Sequence, residues 1–405
     1  MTQTLAPTTS DQVRDAVAWA VESATPLTVQ GHGSKRALGR PTNTTATLDL
    51  SGLSGIVEYL PAELILTARA GTPLAEIQAA LAAQNQQMAF EPPDLTALLG
   101  EPAGRGTVGG LVASNLAGPR RIAVGAVRDH FLGCHAVGGR AEVFKAGGKV
   151  VKNVTGFDLC KLLAGSWGTL SVLTEVTLKV LPAPEDTRTV VVRGLSDCDA
   201  VKCLSAALQS SHEVVGAAHL PAALAGHAVA GAGEAVTLVR VEGPGPSVDW
   251  RAKALCSELA GFGPTAEMGR DDSLAAWAAV RDVRPLVEPA DRPVWRLSVP
   301  PMSGPAVVES LRPHGTPTAF YDWGGGQVWL TLDGPTPAEA ATLIRAAVAH
   351  CGGGHATLVR APEDVRAAVP VFQPQDGALA ALSRRLKETY DPARVFNPGR
   401  MAEGL

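Results

Sequence analysis

The chain has 405 residues, of which 46% are hydrophobic, 4% aromatic and 18% charged, and its formal net charge is −4. This composition excludes a disordered chain, which has too few apolar residues to form a core, and it disfavours a basic nucleic-acid binder because Lys and Arg (35) do not outnumber Asp and Glu (39). The length exceeds the roughly 250–300 residues at which a single core stops growing, so we expect two or more cores.

The order of elements in the first half predicts a mixed α/β domain. Residues 11–23 have the apolar spacing of a helix, whereas PLTVQ (26–30) and LILTARA (64–70) are typical of strands. Apolar residues recur at every second position over 170–181, which predicts a long strand. Strands and helices therefore alternate with loops, as in other α/β domains.

The second half predicts a separate α+β module. The segment PAPEDT (182–187) has the composition of a boundary, and beyond it strand-like and helix-like stretches alternate over 186–355. A last helix within ALAALSRRLKETY then precedes the end of the chain. We therefore expect domain boundaries after residues 185 and 355.

No targeting, anchoring or metal-binding segment is predicted. The start, MTQTLAPTTSDQ, lacks the basic and apolar regions of a signal peptide, and no stretch reaches the ~18 uninterrupted apolar residues of a membrane span. The six cysteines are scattered and none forms a C-x-x-C pair, so neither a disulfide framework nor an iron–sulfur or zinc site is indicated. We expect reduced, mostly buried thiols in a cytoplasmic protein.

Glycine is in excess, with 43 residues or about 11% of the chain against a usual ~7%. GHGSK (31–35) follows a predicted strand, where successive backbone N–H groups can surround an anion such as pyrophosphate, although a plain turn has the same letters. Small residues over 106–115 let a flat ligand approach the main chain. A third glycine loop lies within 152–169, where a helix that ends in glycine before a strand is the alternative.

Gly104, Gly106 and Gly109 have the G-x-G-x-x-G spacing of a dinucleotide-binding fingerprint. That fingerprint requires a buried hydrophobic strand directly before it, because the strand aims the turn at the pyrophosphate. Here the preceding residues are PPDLTALLGEPA, which is no such strand. A Rossmann site is therefore not predicted.

Several motifs carry a resemblance to a known family. GHGSK, then GTVGG, RDHFLG (128–133) and KNVTGFDLCKLLAGSWGTLSVLTE (152–175) are similar to FAD-binding domains of the p-cresol methylhydroxylase type. The tail KETYDPARVFNPGRM resembles that of D-2-hydroxyacid dehydrogenases, and LAGPRR, VWRLSVPP, YDWGGGQVWL and GGHATLVRAP resemble the FAD-binding E subunits of glycolate oxidase. The resemblance covers nearly the whole chain.

The resemblance implies an α+β protein. Residues 1–185 would form an FAD-binding domain of two subdomains that divide near residue 55, and 186–355 a ferredoxin-like cap or substrate domain. Residues 356–405 would return to the FAD domain. Non-covalent FAD is expected, because the histidine that attaches FAD in some relatives lies nearer the position of Ser34 than of His32.

Carried over onto matching positions, the resemblance implies FAD-binding residues in five groups. In order they would contact the pyrophosphate, line the flavin and ribityl face, flank FAD, lie near its isoalloxazine or adenosine part, and return to the flavin edge: Gly31, His32, Gly33, Ser34 and Lys35; Thr107, Gly109, Gly110, Ser114 and Asn115; Arg128 and Asp129; Gly168 and Thr169; and Asn397.

Oxidation of a 2-hydroxy acid needs a hydride acceptor, a base for the hydroxyl and a cation for the carboxylate. Arg296 in VWRLSVPP and Arg360 in HATLVRAP are the candidate cations, with an ordinary ion pair as the alternative for each. His355 is the candidate base or substrate contact, with a structural histidine as its alternative. Arg120 and Arg121 could meet an FAD phosphate or a partner subunit, or lie in a solvated loop.

No metal site is expected. His350 and His355 are five residues apart across CGGG, which suits no simple helical pair. Catalytic relatives hold a metal beside the hydroxy acid with two histidines and an acidic residue, and this chain lacks that full pattern. The difference puts independent catalysis in doubt.

The favoured interpretation is an FAD-binding subunit of a glycolate oxidase complex that oxidises glycolate to glyoxylate and passes electrons to its partners. By resemblance those partners are a second flavin subunit and an iron–sulfur subunit, through which the chain could lie peripherally at the inner membrane. The alternatives are a self-sufficient FAD-dependent D-2-hydroxyacid dehydrogenase and a non-catalytic assembly subunit.

Overall fold

The computed structural model describes residues 3–149 and 157–405. The first letters of the KNVTGFDL motif, up to residue 156, therefore lie outside the described residues. Of the helices in the described ranges, none combines the length and the hydropathy that crossing a bilayer requires.

The strands, in chain order, are β1 (Gln3–Leu5), β2 (Leu27–Gln30), β3 (Ala46–Asp49), β4 (Ile56–Leu60), β5 (Ile65–Arg69), β6 (Gln86–Gln87), β7 (Phe131–Gly138), β8 (Val143–Gly147), β9 (Ser171–Lys179), β10 (Leu181–Pro182), β11 (Asp186–Arg193), β12 (Gly216–Leu220), β13 (Val236–Gly243), β14 (Thr265–Met268), β15 (Val294–Ser298), β16 (Thr316–Asp322), β17 (Gln327–Asp333) and β18 (His355–Arg360).

The helices are α1 (Ser10–Glu22), α2 (Leu74–Ala82), α3 (Thr96–Leu99), α4 (Val108–Ser114), α5 (Arg121–Val124), α6 (Val127–His130), α7 (Leu159–Leu163), α8 (Asp197–Gln209), α9 (Ala222–Ala225), α10 (Gly245–Leu259), α11 (Arg270–Arg281), α12 (Gly304–Leu311), α13 (Pro337–His350), α14 (Glu363–Ala368) and α15 (Gly377–Tyr390). The predicted helix at 11–23 and the predicted strands at 26–30, 64–70 and 170–181 are confirmed as α1, β2, β5 and β9 with β10.

The chain divides into two compact units. Unit 1 comprises Met1–Ala117, Gly125–Ala183 and Pro374–Leu405, and unit 2 comprises Gly118–Val124 and Pro184–Gln373. The first boundary lies close to the predicted one at 185. The second lies at 373 rather than at 355, because β18 pairs with β15 inside unit 2 and the Val371 carbonyl accepts a hydrogen bond from Leu358.

Among the described residues, unit 1 contains the two-stranded sheet of β6 and β10 and two larger sheets that position its loops. A parallel sheet in the order β1-β3-β2 precedes an antiparallel sheet in the order β4-β5-β9-β7-β8, and they divide between Asp49 and Ile56. One face of the larger sheet forms a core with α2 and α4, in which Leu66 and Val176 are fully buried. The C-terminal tail extends the smaller sheet, since Phe396 forms a parallel bridge with Leu27.

Unit 2 consists of two ferredoxin-like repeats joined side by side, where the sequence predicted one. Each repeat has the order β-α-β-β-α-β: β11, α8, β12, β13, α10 and β14 form the first, and β15, α12, β16, β17, α13 and β18 the second. Together they build an eight-stranded sheet in the order β14-β11-β13-β12-β16-β17-β15-β18. The repeats meet where His219 of β12 pairs with Tyr321 of β16.

Opposite faces of this sheet have different surroundings. In the second repeat Trp295 and Leu297 share a core with Val308 of α12 and Ile344 of α13. Because side chains alternate along a strand, Arg296 between them lies on the face away from these helices.

Candidate functional site

A cleft in unit 1 contains about 580 Å³ of empty space. The loop after β2, the first turns of α4, the loop before β9 and the C-terminal tail form its wall. The wall residues are Thr28, Val29, Gln30, Gly31, His32, Gly33, Ser34, Lys35, Arg36, Thr107, Gly110, Ala113, Ser114, Trp167, Asn397 and Arg400.

The loop after β2 reaches α4 only because residue 31 is glycine. A Cβ atom at Gly31 would lie 2.7 Å from Thr107 Oγ1 and 2.8 Å from Thr107 Cγ2, closer than real contacts allow. Thr107 cannot easily move, because its Oγ1 caps α4 by accepting a hydrogen bond from the Gly110 N–H at 3.3 Å. The backbone of the loop therefore approaches the helix closely.

Lys35 brings a cation to this cleft. It is half-buried, and its Nζ lies 3.5 Å from Ser34 Oγ. Burial lowers the pKa of Lys35 to about 8, although the nearby Asp94 carboxylate opposes the shift. A bound anion would stabilise the ammonium group in place of the water that burial removes, so the cleft suits a ligand with phosphate groups.

The C-terminal tail also contributes to the wall of the cleft. Arg400 Nη2 donates to the Lys35 carbonyl at 2.6 Å, and its Nη1 donates to the Arg36 carbonyl at 3.3 Å. Asn397 Oδ1 accepts from the Val29 N–H at 2.9 Å. The tail thus holds the loop at residues 31–35 by hydrogen bonds to the backbone of that loop.

Nine of the fifteen predicted FAD residues line this cleft, and six lie outside its wall. The nine are Gly31, His32, Gly33, Ser34, Lys35, Thr107, Gly110, Ser114 and Asn397. The six are Gly109, Asn115, Arg128, Asp129, Gly168 and Thr169.

The structure gives several of these six a structural task. A Cβ atom at Gly109 would lie 2.8 Å from Ala70 Cβ, so this glycine lets α4 pack against the end of β5. Asn115 Oδ1 accepts from the Arg128 N–H at 3.0 Å, and Asp129 Oδ2 accepts from the Ala126 N–H at 2.8 Å. Gly109, Asn115 and Asp129 therefore stabilise segments next to the cleft without lining it.

Sequence reasoning missed seven wall residues: Thr28, Val29, Gln30, Arg36, Ala113, Trp167 and Arg400. Most are immediate neighbours of predicted residues, so their position beside a glycine loop was the available signal. Arg400 had no local signal, because only the return of the tail brings it to the loop.

In unit 2 the structure brings Arg296 and His355 together. Arg296 of β15 pairs with Thr357 of β18, and Ser298 pairs with His355. Arg296 and His355 are therefore diagonal neighbours on one face, whose Cβ atoms lie within about 7–8 Å in an antiparallel pair. They share the sheet face that points away from α12 and α13.

Arg296 is half-buried, yet no hydrogen-bond acceptor or carboxylate among the described residues meets its guanidinium group. Burial, followed by the positive charge of Arg121, lowers the pKa of Arg296 to about 10. Partial loss of solvent, then Arg296 and then Arg121, lower the pKa of His355, so its imidazole is neutral at pH 7. This face can accept an anion beside a neutral base.

Residues 118–124 belong to this unit through their own contacts. Arg120 donates to both carboxylate oxygens of Glu242, at 2.7 and 2.6 Å, and both side chains are buried. The Arg121 guanidinium carbon lies 4.5 Å from the centre of the Trp323 ring, and Trp323 Nε1 donates to the Gly118 carbonyl at 3.1 Å. For Arg120, the buried ion pair replaces the solvated loop that was one alternative, whereas Arg121 is exposed at the start of α5.

Arg360 lies apart from these groups, at the other end of β18. Its guanidinium group donates to three backbone carbonyls, of Val287 at 2.6 Å, Arg292 at 2.9 Å and Pro289 at 2.9 Å. These bonds hold the segment before β15. Within residues 3–149 and 157–405, no group of three or more His, Cys, Asp or Glu side chains could hold a metal ion.

The comparisons with known proteins agree with this geometry. Residues 2–147 match the family model of an FAD binding domain. The glycolate oxidase subunit GlcE of Escherichia coli K12 is 36% identical over 392 residues, which cover 97% of each chain. The chain belongs to the GlcE family of glycolate oxidase subunits.

Two further proteins place this GlcE family member among its relatives. The glycolate oxidase subunit GlcD of Bacillus subtilis is 27% identical over 221 residues, which are 54% of this chain and 44% of GlcD. A crystal structure of p-cresol methylhydroxylase with substrate bound superposes with a TM-score of 0.68 at 14% identity, over 99% of this chain and 88% of the other. The predicted family, α+β fold class and p-cresol methylhydroxylase-type fold are confirmed.

FAD is the cofactor of this family member, and the cleft fits it. The close approach at Gly31, the cation of Lys35 and the backbone of residues 31–35 provide what a dinucleotide pyrophosphate needs. The predicted cofactor is confirmed by the FAD binding domain that residues 2–147 match.

The affinity for FAD should fall as the pH rises through about 8. Free Lys35 loses its proton near that pH, whereas a pyrophosphate bound beside it would keep it charged, so binding would take up a proton above pH 8. We expect the Kd for FAD, measured by quenching of flavin fluorescence, to change little from pH 6 to 7 and to increase several-fold from pH 7.5 to 9.

Lys35→Arg serves as the control, because it keeps its charge throughout and should bind FAD with little dependence on pH. Lys35→Met should bind FAD weakly at every pH. If Lys35→Met has the same pH profile as the native chain, another group causes the effect and the assignment of Lys35 is wrong.

Proposed function

We propose that this chain is the FAD-carrying subunit of a glycolate oxidase complex, in which it oxidises glycolate to glyoxylate and passes the electrons to partner subunits. The observation that carries the proposal is the half-buried Arg296, which has no acceptor among the described residues and lies beside a neutral His355. An arginine in this state suits a carboxylate, the group that all 2-hydroxy acids share.

The cofactor would be held by the loop at Gly31–Lys35, with Lys35 on the pyrophosphate side and Thr107 and Asn397 in the wall of the cleft. When bound, FAD supplies an acceptor for the hydride that leaves C2 of the hydroxy acid. Gly31 approaches Thr107 closely and has no side chain, so at this position the backbone itself would face the ligand.

Arg296 would bind the substrate carboxylate through two parallel N–H···O bonds and so orient C2. His355 is neutral at pH 7 and can take the hydroxyl proton while C2 loses its hydride, which leaves the aldehyde of glyoxylate. The positive charge of Arg121 lowers the pKa of both Arg296 and His355, so it acts on this site and would favour an anionic substrate. Arg360 has no part in this proposal, because backbone carbonyls use its donors.

Partner subunits would receive the electrons. GlcE and GlcD carry the name of one oxidase, which supports a multi-subunit complex. The six cysteines of this chain include no C-x-x-C pair, so an iron–sulfur relay would belong to a partner, beside a second flavin subunit. Any contact with a membrane would then run through a partner as well.

Anaerobic addition of glycolate tests the proposal. The purified complex and the isolated chain, each loaded with FAD, are followed by flavin absorbance, and acetate, which has the carboxylate without the hydroxyl, is the control. We expect glycolate to bleach the flavin absorbance of the complex. The Arg296→Gln substitution should abolish the bleaching of the flavin that this chain carries.

Each other outcome decides against part of the proposal. Full-rate bleaching of the isolated chain would indicate a self-sufficient 2-hydroxyacid dehydrogenase. A chain that stays colourless after incubation with FAD would indicate a non-catalytic assembly subunit. Bleaching of the complex that is unaffected by Arg296→Gln would place substrate oxidation in a partner subunit.

A further inference from the structure

Helix α15 has an unusual burial pattern. Among its fourteen residues the buried one is Lys387, whose side chain is 2% exposed. Lys387 Nζ lies 2.7 Å from Oδ2 of Asp391, which is fully buried. A helix that buries a lysine and leaves Leu379 and Leu382 exposed is not held mainly by apolar packing.

The same ammonium group holds two backbone segments. Lys387 Nζ donates to the Thr169 carbonyl at 2.8 Å and to the Phe396 carbonyl at 2.9 Å, in addition to Asp391. All three of its protons are therefore used. Lys387 thereby connects the loop before β9 to the C-terminal tail.

Asp391 completes the turn of the tail. Its Oδ1 accepts from the Val395 N–H at 3.0 Å, and its Oδ2 accepts from the Phe396 N–H at 2.9 Å. This turn delivers Phe396 to its bridge with Leu27. The residue that follows, Asn397, is thereby placed in the wall of the cleft.

Asn397 has no polar capacity left for the ligand at its amide nitrogen. Its Nδ2 donates to the Trp167 carbonyl at 2.9 Å and to the Gly168 carbonyl at 3.3 Å, while Oδ1 accepts from the Val29 N–H. Its backbone φ of 41° lies in the left-handed region, which asparagine tolerates better than most non-glycine residues. Asn397 thus joins β2 to the loop before β9, and both segments contribute residues to the wall of the cleft.

We propose that Lys387 and Asp391 are positioning residues for FAD, which act through Asn397 and without touching the cofactor. A buried ion pair is seldom retained for stability, since apolar residues of similar volume often stabilise as much. An apolar pair could not bond Thr169, Phe396 and the turn at once. The pair therefore sets the distance between β2 and the loop before β9, which Asn397 joins. That distance in turn sets the affinity for FAD.

Two substitutions and their combination test this inference. Asn397→Asp keeps the acceptor for Val29 but sets a carboxylate against two carbonyls, and Lys387→Met keeps the chain length but removes the charge. We expect each to raise the Kd for FAD at least tenfold. Since Lys387 acts through Asn397, the two effects should not add. The Kd of the double variant for FAD should be about equal to the higher of the two single-variant Kd values.

Arg394→Ala is the matched control. Arg394 lies in the same tail, but its side chain is exposed, pairs with Glu388 and donates to the Gly404 carbonyl, so truncating that side chain should leave the Kd unchanged. Protection of residues 391–400 from hydrogen exchange should increase when FAD binds to the native chain, because coupling between two events is reciprocal. Asn397→Asp should lose that increase.

Three results would overturn the inference. One is an unchanged Kd for FAD in both single variants alongside a lower thermal midpoint of the FAD-free protein, which would make the pair merely structural. Another is strictly additive effects in the double variant, which would separate Lys387 from Asn397. If Lys387→Met does not fold, Lys387→Gln is measured instead, and an unchanged Kd there counts equally against it. These readouts use FAD alone, so they stand whether or not glycolate is the substrate.

Discussion

Replacing Arg296 with glutamine is expected to lower kcat/KM for glycolate about one hundred- to one thousand-fold in the complex. Loss of one partner from a buried, charge-assisted pair costs about 2–5 kcal/mol, and Arg296 would form such a pair with the substrate carboxylate. The effect should appear in steady-state oxidation assays with an artificial electron acceptor. Bound FAD should remain at one per chain, since Arg296 lies in unit 2 and the cleft in unit 1.

Two matched variants give this prediction its meaning. Arg296→Lys keeps the charge but loses the two parallel donors, so an intermediate loss is expected. Arg292→Gln removes an arginine just before the same strand. The exposed ion pair of Arg292 with Asp333 contributes little to stability, so activity should be retained. If Arg296→Gln has native kinetics, the substrate carboxylate binds elsewhere and the proposed site is wrong.

Replacing Gly31 with valine is expected to yield protein with less than about one tenth of the native FAD content. The new Cβ would lie 2.7 Å from Thr107 Oγ1, so either the loop leaves the cleft or α4 loses its cap. Flavin absorbance of the purified chain, relative to its protein concentration, measures the effect. Circular dichroism should show that secondary structure is retained, because the substitution lies in a loop.

A relief variant distinguishes this clash from a general defect. Gly31→Ala should bind FAD weakly, and adding Thr107→Ala removes the two closest contacts and should recover part of the binding. Gly377→Ala is the control, since a Cβ there meets nothing within 4 Å. Native FAD content in Gly31→Val would show that close approach of this loop is not needed.

The loop at Gly31–Lys35 could be predicted because its cause is local. A strand followed by glycine, a small residue and a lysine limits the backbone to conformations that few other sequences share. The p-cresol methylhydroxylase-type fold could be recognised for a related reason, since several such loops occur in a set order. The cleft residues that were found are those whose role depends on neighbours in the chain.

The arginines show where local reasoning ends. Arg296 and Arg360 both lie in strands of similar letters, and the sequence predicts the same role for each. The structure gives them different surroundings, because Arg296 has no acceptor among the described residues and Arg360 donates to three carbonyls. Register depends on pairing between distant segments, which no local pattern encodes.

The glycines show the same limit on a smaller scale. Gly109 and Gly110 are adjacent and were predicted to do the same thing. Gly110 lines the cleft, whereas Gly109 faces Ala70 and lets α4 pack on its sheet. The helix phase separates two neighbouring residues by about 100°, so one contacts the ligand side and the other the core.

Sequence alone determined the outline of the chain: two or more cores, a first half with glycine loops after strands, and a second α+β module. These follow from composition, periodicity and short motifs, whose physical causes act over a few residues. The tertiary structure decided that residues 118–124 join unit 2 and that the second module is a double ferredoxin-like repeat. It also decided that the side-chain amide of Asn397 is hydrogen-bonded to backbone groups. Each of these depends on contacts between residues far apart in the chain, such as Lys387 with Thr169, and only folding brings such residues together.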